Sequence, residues 1–122
     1  DCCDDLDHAM TQLVELGIDR VLTSGGQPTA IDGADQIKSL QENYGKDIEI
    51  LAGSGVNYNN ASSLMKHTGI SQVHSSCKDY EEDPTTSGKS VTYSYYTGTH
   101  ANDYESVDQE NVEKLVSSLQ NK

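Results

Sequence analysis

Three short β-prone runs alternate with amphipathic helical segments up to Ser76, and this alternation sets the fold class. We predict strands at residues 18–24, 47–52 and 70–76, each preceded by a segment with apolar residues at helical spacing. Each helix and strand together take roughly 25–30 residues, which is typical of parallel strands joined by right-handed crossovers. The sequence therefore predicts an α/β fold with three parallel strands, either an open doubly wound sheet or part of a (β/α)8 TIM barrel.

Four helices accompany these strands in the prediction. The first carries Leu6 and Met10 on one face and ends at Gly17, and the next two span about residues 29–44 and 59–67. The last opens at Ser106, because Gln109 three residues later gives the spacing of a capping box. We expect this helix to bury its apolar residues, which are Val112, Leu115, Val116 and Leu119.

Residues 78–105 show no helical period, and we predict a long polar loop there before the last helix. Val91, Tyr93 and Tyr95 alternate with polar residues, so a short strand or extended segment is an alternative within it. Residues 1–122 are predicted to form a single domain, a partial (β/α) barrel. A complete barrel needs roughly 200 residues or more, so this chain cannot close one alone.

The charge balance excludes several partners. The chain has 8 Lys and Arg against 20 Asp and Glu, a formal net charge of −12. A phosphate backbone or an anionic membrane surface selects the opposite charge, so we expect no nucleic acid and no membrane partner. Hydrophobic residues make up only 34% of the chain, with no Trp and no Phe. We therefore expect it to need an absent N-terminal half or a homo-oligomeric partner to complete its core.

The three cysteines indicate a reducing compartment. An odd number, with Cys2 adjacent to Cys3, does not make a disulfide framework. We therefore predict a cytoplasmic protein. These two thiols and Cys77 are the candidate metal ligands, since thiolates suit Cu(I). No other His or Cys lies at a spacing that completes a tetrahedral site locally.

Small, hydroxyl-bearing or glycine residues end all three predicted strands. In parallel architectures ligands bind at these carboxyl ends, where glycine lets backbone N–H groups approach an anion. The predicted site for a small phosphate or carboxylate ligand comprises Thr23, Ser24, Gly25, Gly53, Ser54, Gly55, Ser75 and Ser76. The alternative is that the glycines only permit tight turns between strand and helix.

His74 is the candidate catalytic residue. Strand alternation places it on one face with Gln72 and Ser76, and a polar set on a buried barrel strand would point inward toward the ligand. An imidazole there suits acid–base chemistry or metal ligation. The alternative is a hydrogen-bonded structural histidine.

Several ordered segments resemble one family. Residues 16–25, LGIDRVLTSG, are similar to the LGxDRxLTSG segment of the CutC copper homeostasis proteins. Residues 52–56, AGSGV, followed by Asn60, resemble that family's GxGv…N segment, and residues 73–76, VHSS, resemble its xHxSA strand. The resemblance is collinear and covers most of residues 5–77.

The resemblance implies a (β/α)8 barrel in which this chain is the C-terminal half, carrying strands six, seven and eight. It implies copper tolerance, cytoplasmic copper handling and Cu(I) binding, without an established catalytic activity. The cysteines usually credited with copper binding lie in the family's other half. Cys77 stands where the family usually has a small residue such as Ala, which argues against a copper site on this chain.

Three hypotheses about function follow. The first is a CutC-type copper homeostasis protein. The second is a TIM-barrel enzyme that acts on a small phosphorylated or carboxylated metabolite bound at the strand ends. The third is an inactive fragment or assembly piece. Copper titration discriminates the first from the second, and the residues upstream of Asp1 discriminate both from the third.

Overall fold

The structure is a computed structural model that describes residues 1–120. Helices and strands alternate in the order predicted up to the third strand, and a hairpin then precedes the last helix. In chain order the elements are α1 (Leu6–Glu15), β1 (Arg20–Thr23), α2 (Ala34–Tyr44), β2 (Glu49–Ala52), α3 (Ala61–Thr68), β3 (Gln72–Val73), β4 (Lys78–Glu82), a 3-10 turn (Gly98–His100), β5 (Asp103–Val107) and α4 (Gln109–Gln120).

The first three strands form one parallel sheet in the order β1-β2-β3, which confirms the predicted parallel α/β arrangement. Val21 lies opposite Ile50, and Leu51 lies opposite Gln72. All three strands are shorter than predicted. The third extends only over Gln72–Val73, because from His74 onward the chain turns away toward the hairpin.

The core lies on the side of this sheet that the helices cover. Ile37, Leu40 and Leu64 are its largest fully buried side chains, and they come from α2 and α3. Ile50 and Ala52 of β2 are also buried and complete the contact between helices and sheet. The sheet therefore has one packed face, as expected for strands whose crossovers all lie on the same side.

The opposite face of the sheet has no covering element among residues 1–120. Leu22 there is 51% exposed. A polar network lies beside it, in which Glu49 Oε2 accepts hydrogen bonds from Arg20 Nε at 2.8 Å and Gln72 Nε2 at 3.0 Å. Both hydrogen bonds lower the pKa of the Glu49 carboxyl below its ordinary value, and the bond from Gln72 has the larger effect. The face thus combines an exposed leucine with an organised polar group.

The second helix begins later than predicted. Residues 29–33 form turns, and α2 starts at Ala34. The amide of Ala30 donates to the Ser54 carbonyl at 3.0 Å, so this segment is fastened to the end of β2. The Thr29 hydroxyl oxygen accepts from the Asp32 amide at 3.2 Å, the pattern of an N-cap bond, and this closes a separate turn before α2.

The structure corrects the prediction of a loop over residues 78–105. Strands β4 and β5 pair antiparallel, with register from Lys78 opposite Val107 to Glu82 opposite Asp103. Cross-strand polar contacts stabilise this charged hairpin, including Lys78 Nζ to Glu105 Oε1 at 2.5 Å. The alternative strand around Val91–Tyr95 does not form among the described residues, where this stretch contributes one isolated bridge between Ser87 and Thr92.

The last helix also differs from the prediction. Ser106 lies in β5, and Asp108 caps α4 instead, its Oδ1 accepting from the Asn111 amide at 2.7 Å. None of the residues of α4 is fully buried; Val112 is 37% and Val116 47% exposed. The other two apolar residues, Leu115 and Leu119, are partly buried and pack against the core. Among the described residues, no helix has the length and apolar character needed to cross a bilayer.

Candidate functional site

The predicted anion cradle at the end of β1 holds a carboxylate that belongs to the chain itself. Asp1 Oδ1 accepts from the Thr23 hydroxyl at 2.5 Å and from the Gly26 amide at 2.9 Å. Asp1 Oδ2 accepts from the Ser24 amide at 3.0 Å. The Gly25 amide in turn donates to Thr23 Oγ1 at 2.9 Å and fixes that hydroxyl. This strand end therefore has carboxylate-binding geometry, and an external anion would have to displace Asp1.

The end of β2 is a tight turn. A Cβ on Gly53 would lie 2.8 Å from Leu22 Cδ1, so a side chain there would have to displace the tip of that leucine. Its amide donates to the Thr23 carbonyl at 3.1 Å, so Gly53 already has a partner in the neighbouring strand. Ser54 and Gly55 follow with φ of 76° and 72°, which reverses the chain toward α3.

The end of β3 is tied to this turn by Ser75. Its hydroxyl donates to the Val56 carbonyl at 2.6 Å and accepts from the Cys77 amide at 3.2 Å. Cys77 has a φ of 44°, a left-handed conformation that is uncommon for a residue with a side chain. Ser75 and Cys77 together turn the chain from the parallel sheet into the hairpin.

A cavity of about 200 Å³ lies where these two strand ends meet the hairpin and α4. Its lining unites four of the residues singled out in the sequence with five others. The lining residues are Gly55, Val56, Asn57, Tyr58, Ser75, Ser76, Cys77, Lys78 and Asn111. The lining is mostly apolar and includes hydroxyl, amide and lysine side chains, a combination that is common in ligand sites.

The residues that sequence reasoning missed come from separate elements. Tyr58 precedes α3, Lys78 begins β4, and Asn111 lies in the first turn of α4. Asn111 Nδ2 donates to the Lys78 carbonyl at 3.2 Å and holds α4 against the hairpin. No local sequence motif identifies these three residues. They come together because of the hairpin, which was not predicted from the sequence.

Two cations influence the charge at this cavity. A hydrogen bond from Lys78 Nζ to Glu105 raises the pKa of the lysine amine above its ordinary value. Lys114 Nζ lies over the Tyr58 ring at 5.3 Å from its centroid. The ammonium group of Lys78 is therefore charged at neutral pH, and its partner carboxylate offsets that charge.

His74 lies outside the cavity. It is exposed on the uncovered face of the parallel sheet. Its Nδ1 would lie 3.6 Å from a Cβ added at Gly53, so it neighbours the turn after β2. Its assignment as an acid–base residue stays a prediction. Thr23, Ser24 and Gly25 likewise do not line the cavity.

The three cysteines lie at two separate places in the described part of the chain. Residues 1–120 contain no group of three or more His, Cys, Asp or Glu side chains placed to hold a metal ion. Cys2 and Cys3 are exposed near the end of β1, whereas Cys77 lines the cavity at the other strand ends. The nearest polar partner of Cys77 Sγ is Ser75 Oγ at 3.6 Å.

Curated relatives share substantial identity with this chain. A CutC family protein from Histophilus somni (strain 2336) is 42% identical over 92 residues, which are 75% of this chain and 38% of the relative. A CutC family protein from Treponema denticola is 41% identical over 85 residues, 70% of this chain and 35% of the relative. The chain spans between one third and two fifths of the length of these relatives.

A solved structure has the same fold over the matched part. It is that of CutC from Streptococcus agalactiae, which its name describes as a copper homeostasis protein. The TM-score is 0.54 at 35% sequence identity, and the match covers 57% of this chain and 34% of that one.

The family model for CutC matches residues 1–79, which include the parallel sheet, its three helices and both turns that border the cavity. That match extends over more than half of the 122 residues. It agrees with the collinear segments found in the sequence, so this chain belongs to the CutC family.

Proposed function

We propose that the three parallel strands are part of the wall of a (β/α)8 barrel and correspond to its strands six to eight. The uncovered face with Leu22 supports this, because the helices among residues 1–120 cover one side of the sheet and leave the other open. In a closed barrel such a face points inward and packs against opposing strands. The free edges of β1 and β3 would pair with the neighbouring strands of the same barrel.

The proposed biological role is copper homeostasis of the CutC type, in the cytoplasm. The observation that carries this proposal is the family match over residues 1–79, together with the name of the Streptococcus agalactiae protein. In this proposal residues 1–120 contribute the barrel wall and the strand-end cavity. The thiolate ligands for copper come from elsewhere in the assembled protein, since Cys3 and Cys77 lie at different strand ends.

Copper titration tests whether the copper ligands lie outside this chain. We expect this chain to bind Cu(I) no more tightly than an exposed pair of thiols, because its cysteines do not converge. Competition with a chromogenic Cu(I) chelator measures the affinity of the chain, and Cys77→Ser should leave it unchanged. Cys2→Ser is the control, which removes an exposed thiol. A tight site of one copper per chain that Cys77→Ser abolishes would contradict the expectation.

The cavity favours a second candidate function, an enzyme or binding protein for a small phosphorylated or carboxylated metabolite. Lys78, Asn111 and Ser76 line one space of about 200 Å³, and the Lys78 ammonium is bonded to Glu105 beside it. Such donors suit an anion of a few oxygen atoms. The net charge of −12 opposes the approach of anions, so recognition would depend on these short-range contacts.

Phosphate titration followed by amide NMR shifts tests this candidate. We expect shifts centred on Gly55 and Ser76, and a loss of affinity of about 5- to 10-fold in Lys78→Met, since a charge-assisted hydrogen bond disappears. Lys66→Met is the matched control, because it removes the same charge from a lysine outside the cavity. Equal effects of both variants, or unchanged binding with a bulky residue at Gly55, would rule the candidate out.

A further inference from the structure

A second cavity, of about 280 Å³, lies on the β4–β5 hairpin and shares no lining residue with the strand-end cavity. Tyrosine rings and carboxylates line nearly all of it. The lining residues are Asp83, Thr86, Tyr93, Tyr95, Tyr96, Asp103, Tyr104 and Glu105. No lysine or arginine is among them, and all of them lie beyond the residues that the CutC model matches.

Two of the lining rings, those of Tyr95 and Tyr96, contact each other and a neighbouring aromatic group. Tyr96 meets Tyr95 edge-to-face at 4.9 Å between centroids, and meets Tyr80 in the same geometry at 5.7 Å. Tyr80 is stacked on the His100 ring at 3.8 Å, which anchors the group to the 3-10 turn. Tyr93 and Tyr95 nevertheless remain 83% and 87% exposed. Their faces are therefore available to a ligand from solvent.

Carboxylates hold two of the phenol groups. The Tyr104 hydroxyl donates to Glu81 Oε2 at 2.7 Å, and the Tyr96 hydroxyl donates to Glu105. The bond to Glu105 raises the pKa of Tyr96 to about 12, so its ring stays a neutral phenol at physiological pH. Donation to a carboxylate also polarises each O–H bond and makes the ring face more negative.

Negative charge exceeds positive charge around this cavity. Glu105 is paired with Lys78, and Asp103 accepts a hydrogen bond from His100 Nδ1 at 2.7 Å. Asp83 has no ion-pair partner among residues 1–120; its Oδ1 is held by the amide and hydroxyl of Thr85 at 2.9 and 2.6 Å. Both hydrogen bonds lower the pKa of the Asp83 carboxyl below its ordinary value, and the bond from the hydroxyl has the larger effect. A carboxylate thus stays charged beside exposed ring faces.

We propose that this cavity binds a methylated ammonium group, as a free quaternary ammonium ion or as an N-methylated lysine side chain. Ring faces attract cations that are large and weakly hydrated, and aromatic groups with nearby carboxylates are the usual receptors for quaternary ammonium. A small hard cation is disfavoured, because the described residues offer no cluster of three metal-ligating side chains. A tetramethylammonium ion is also small enough for a space of about 280 Å³.

Tetramethylammonium chloride added to the intact protein tests the proposal, with sodium chloride at equal ionic strength as the reference. The probe should shift the amide NMR signals of residues 93–96 and change tyrosine fluorescence, which has no tryptophan background. We expect a dissociation constant on the order of 1 mM, because the rings are largely exposed. The neutral isostere tert-butanol should produce no comparable shifts.

Variants decide whether the rings and the carboxylate cause the binding. Tyr95→Leu should weaken tetramethylammonium binding about 5-fold or more, whereas Tyr95→Phe should keep it within about 2-fold. Tyr58→Leu is the matched control outside this cavity and should have no effect. Asp83→Asn should weaken binding about 3-fold, and less at high salt. Tyr95 is so exposed that these variants are expected to fold.

The two ligand sources are separated by comparing the free ion with a peptide that carries one trimethyllysine. Tighter binding of the peptide than of its unmethylated form, at the same signals, assigns the site to a protein partner. Equal weak binding of both peptides with a clear response to tetramethylammonium assigns it to a free small cation. The proposal is overturned if residues 93–96 do not respond to either probe, if tert-butanol acts equally, or if Tyr95→Leu binds as before.

Discussion

The chain of 122 residues expressed alone is expected to be oligomeric, aggregated or molten. Among residues 1–120 the face of the parallel sheet with Leu22 is uncovered, and the outer edges of β1 and β3 carry no paired strand. Exposed strand edges and apolar faces associate with other chains. Analytical ultracentrifugation and a thermal unfolding scan of the isolated chain measure the outcome.

Two surface variants test whether the chain associates through the uncovered sheet face or through exposed apolar residues in general. Leu22→Ser should shift the isolated chain toward smaller species, because it removes the exposed leucine of that face. Leu16→Ser is the control, since this leucine is 75% exposed after α1 and outside the sheet. A well-behaved monomer with a cooperative thermal transition would defeat the half-barrel proposal and favour a small open α/β sheet.

Gly33→Ala is expected to be strongly destabilising. A Cβ at this position would lie 2.0 Å from the Ser24 carbonyl oxygen and 3.0 Å from Gly25 Cα, so two backbone segments would have to separate. The φ of Gly33 is −92°, which alanine adopts freely, so the steric contact alone carries the effect. We expect the free energy of unfolding to fall by about 3 kcal/mol or more, measured by urea unfolding of the intact protein.

Gly17→Ala serves as the matched glycine control. Gly17 has a φ of 70°, and a Cβ there would meet nothing within 4 Å. Alanine at this position should cost only the strain of the left-handed conformation, about 1–2 kcal/mol. If Gly33→Ala proved as mild as Gly17→Ala, the close approach of the β1 and α2 loops would not be a feature of the folded protein.

The parallel half of the fold was predictable because its patterns are local and periodic. Leu6 and Met10 recur at helical spacing, and Met10 is buried as the pattern implies. Gly69 follows α3 in the left-handed conformation that a helix-ending glycine adopts. Because each helix buries one side, its apolar residues recur every three or four positions in the sequence. The first three strands could then be located between the helices.

The hairpin was not predictable for a physical reason. Its strands carry mainly charged and polar residues, and pairing comes from cross-strand contacts such as those of Lys78 with Glu105 and Glu81 with Ser106. Such contacts depend on the partner strand about 25 residues away and leave no local period. The capping residue was misplaced for the same reason, because β5 uses Ser106 and leaves Asp108 to begin α4.

The candidate site was predictable in part. Gly55, Ser75 and Ser76 line the cavity. They were predicted because ligands bind at the carboxyl ends of parallel strands. The occupation of the β1 cradle by Asp1 was not predictable, because a hydrogen bond across 22 positions of sequence depends on the folded chain. Lys78 and Asn111 were not predicted, because they reach the cavity through the hairpin, which the sequence pattern did not indicate.

Residues 1–120 contain two sheets that share no strand, and this has a consequence for the internal motions of the protein. The hairpin is joined to the rest through Ser75, Cys77 and a helix that buries no residue fully. We expect it to open while the hydrogen bonds of the parallel sheet stay closed. Amide hydrogen exchange should then occur in two separate cooperative units, with β4, β5 and α4 exchanging by a sub-global route. A ligand bound to the hairpin would slow exchange in that unit and leave the other untouched.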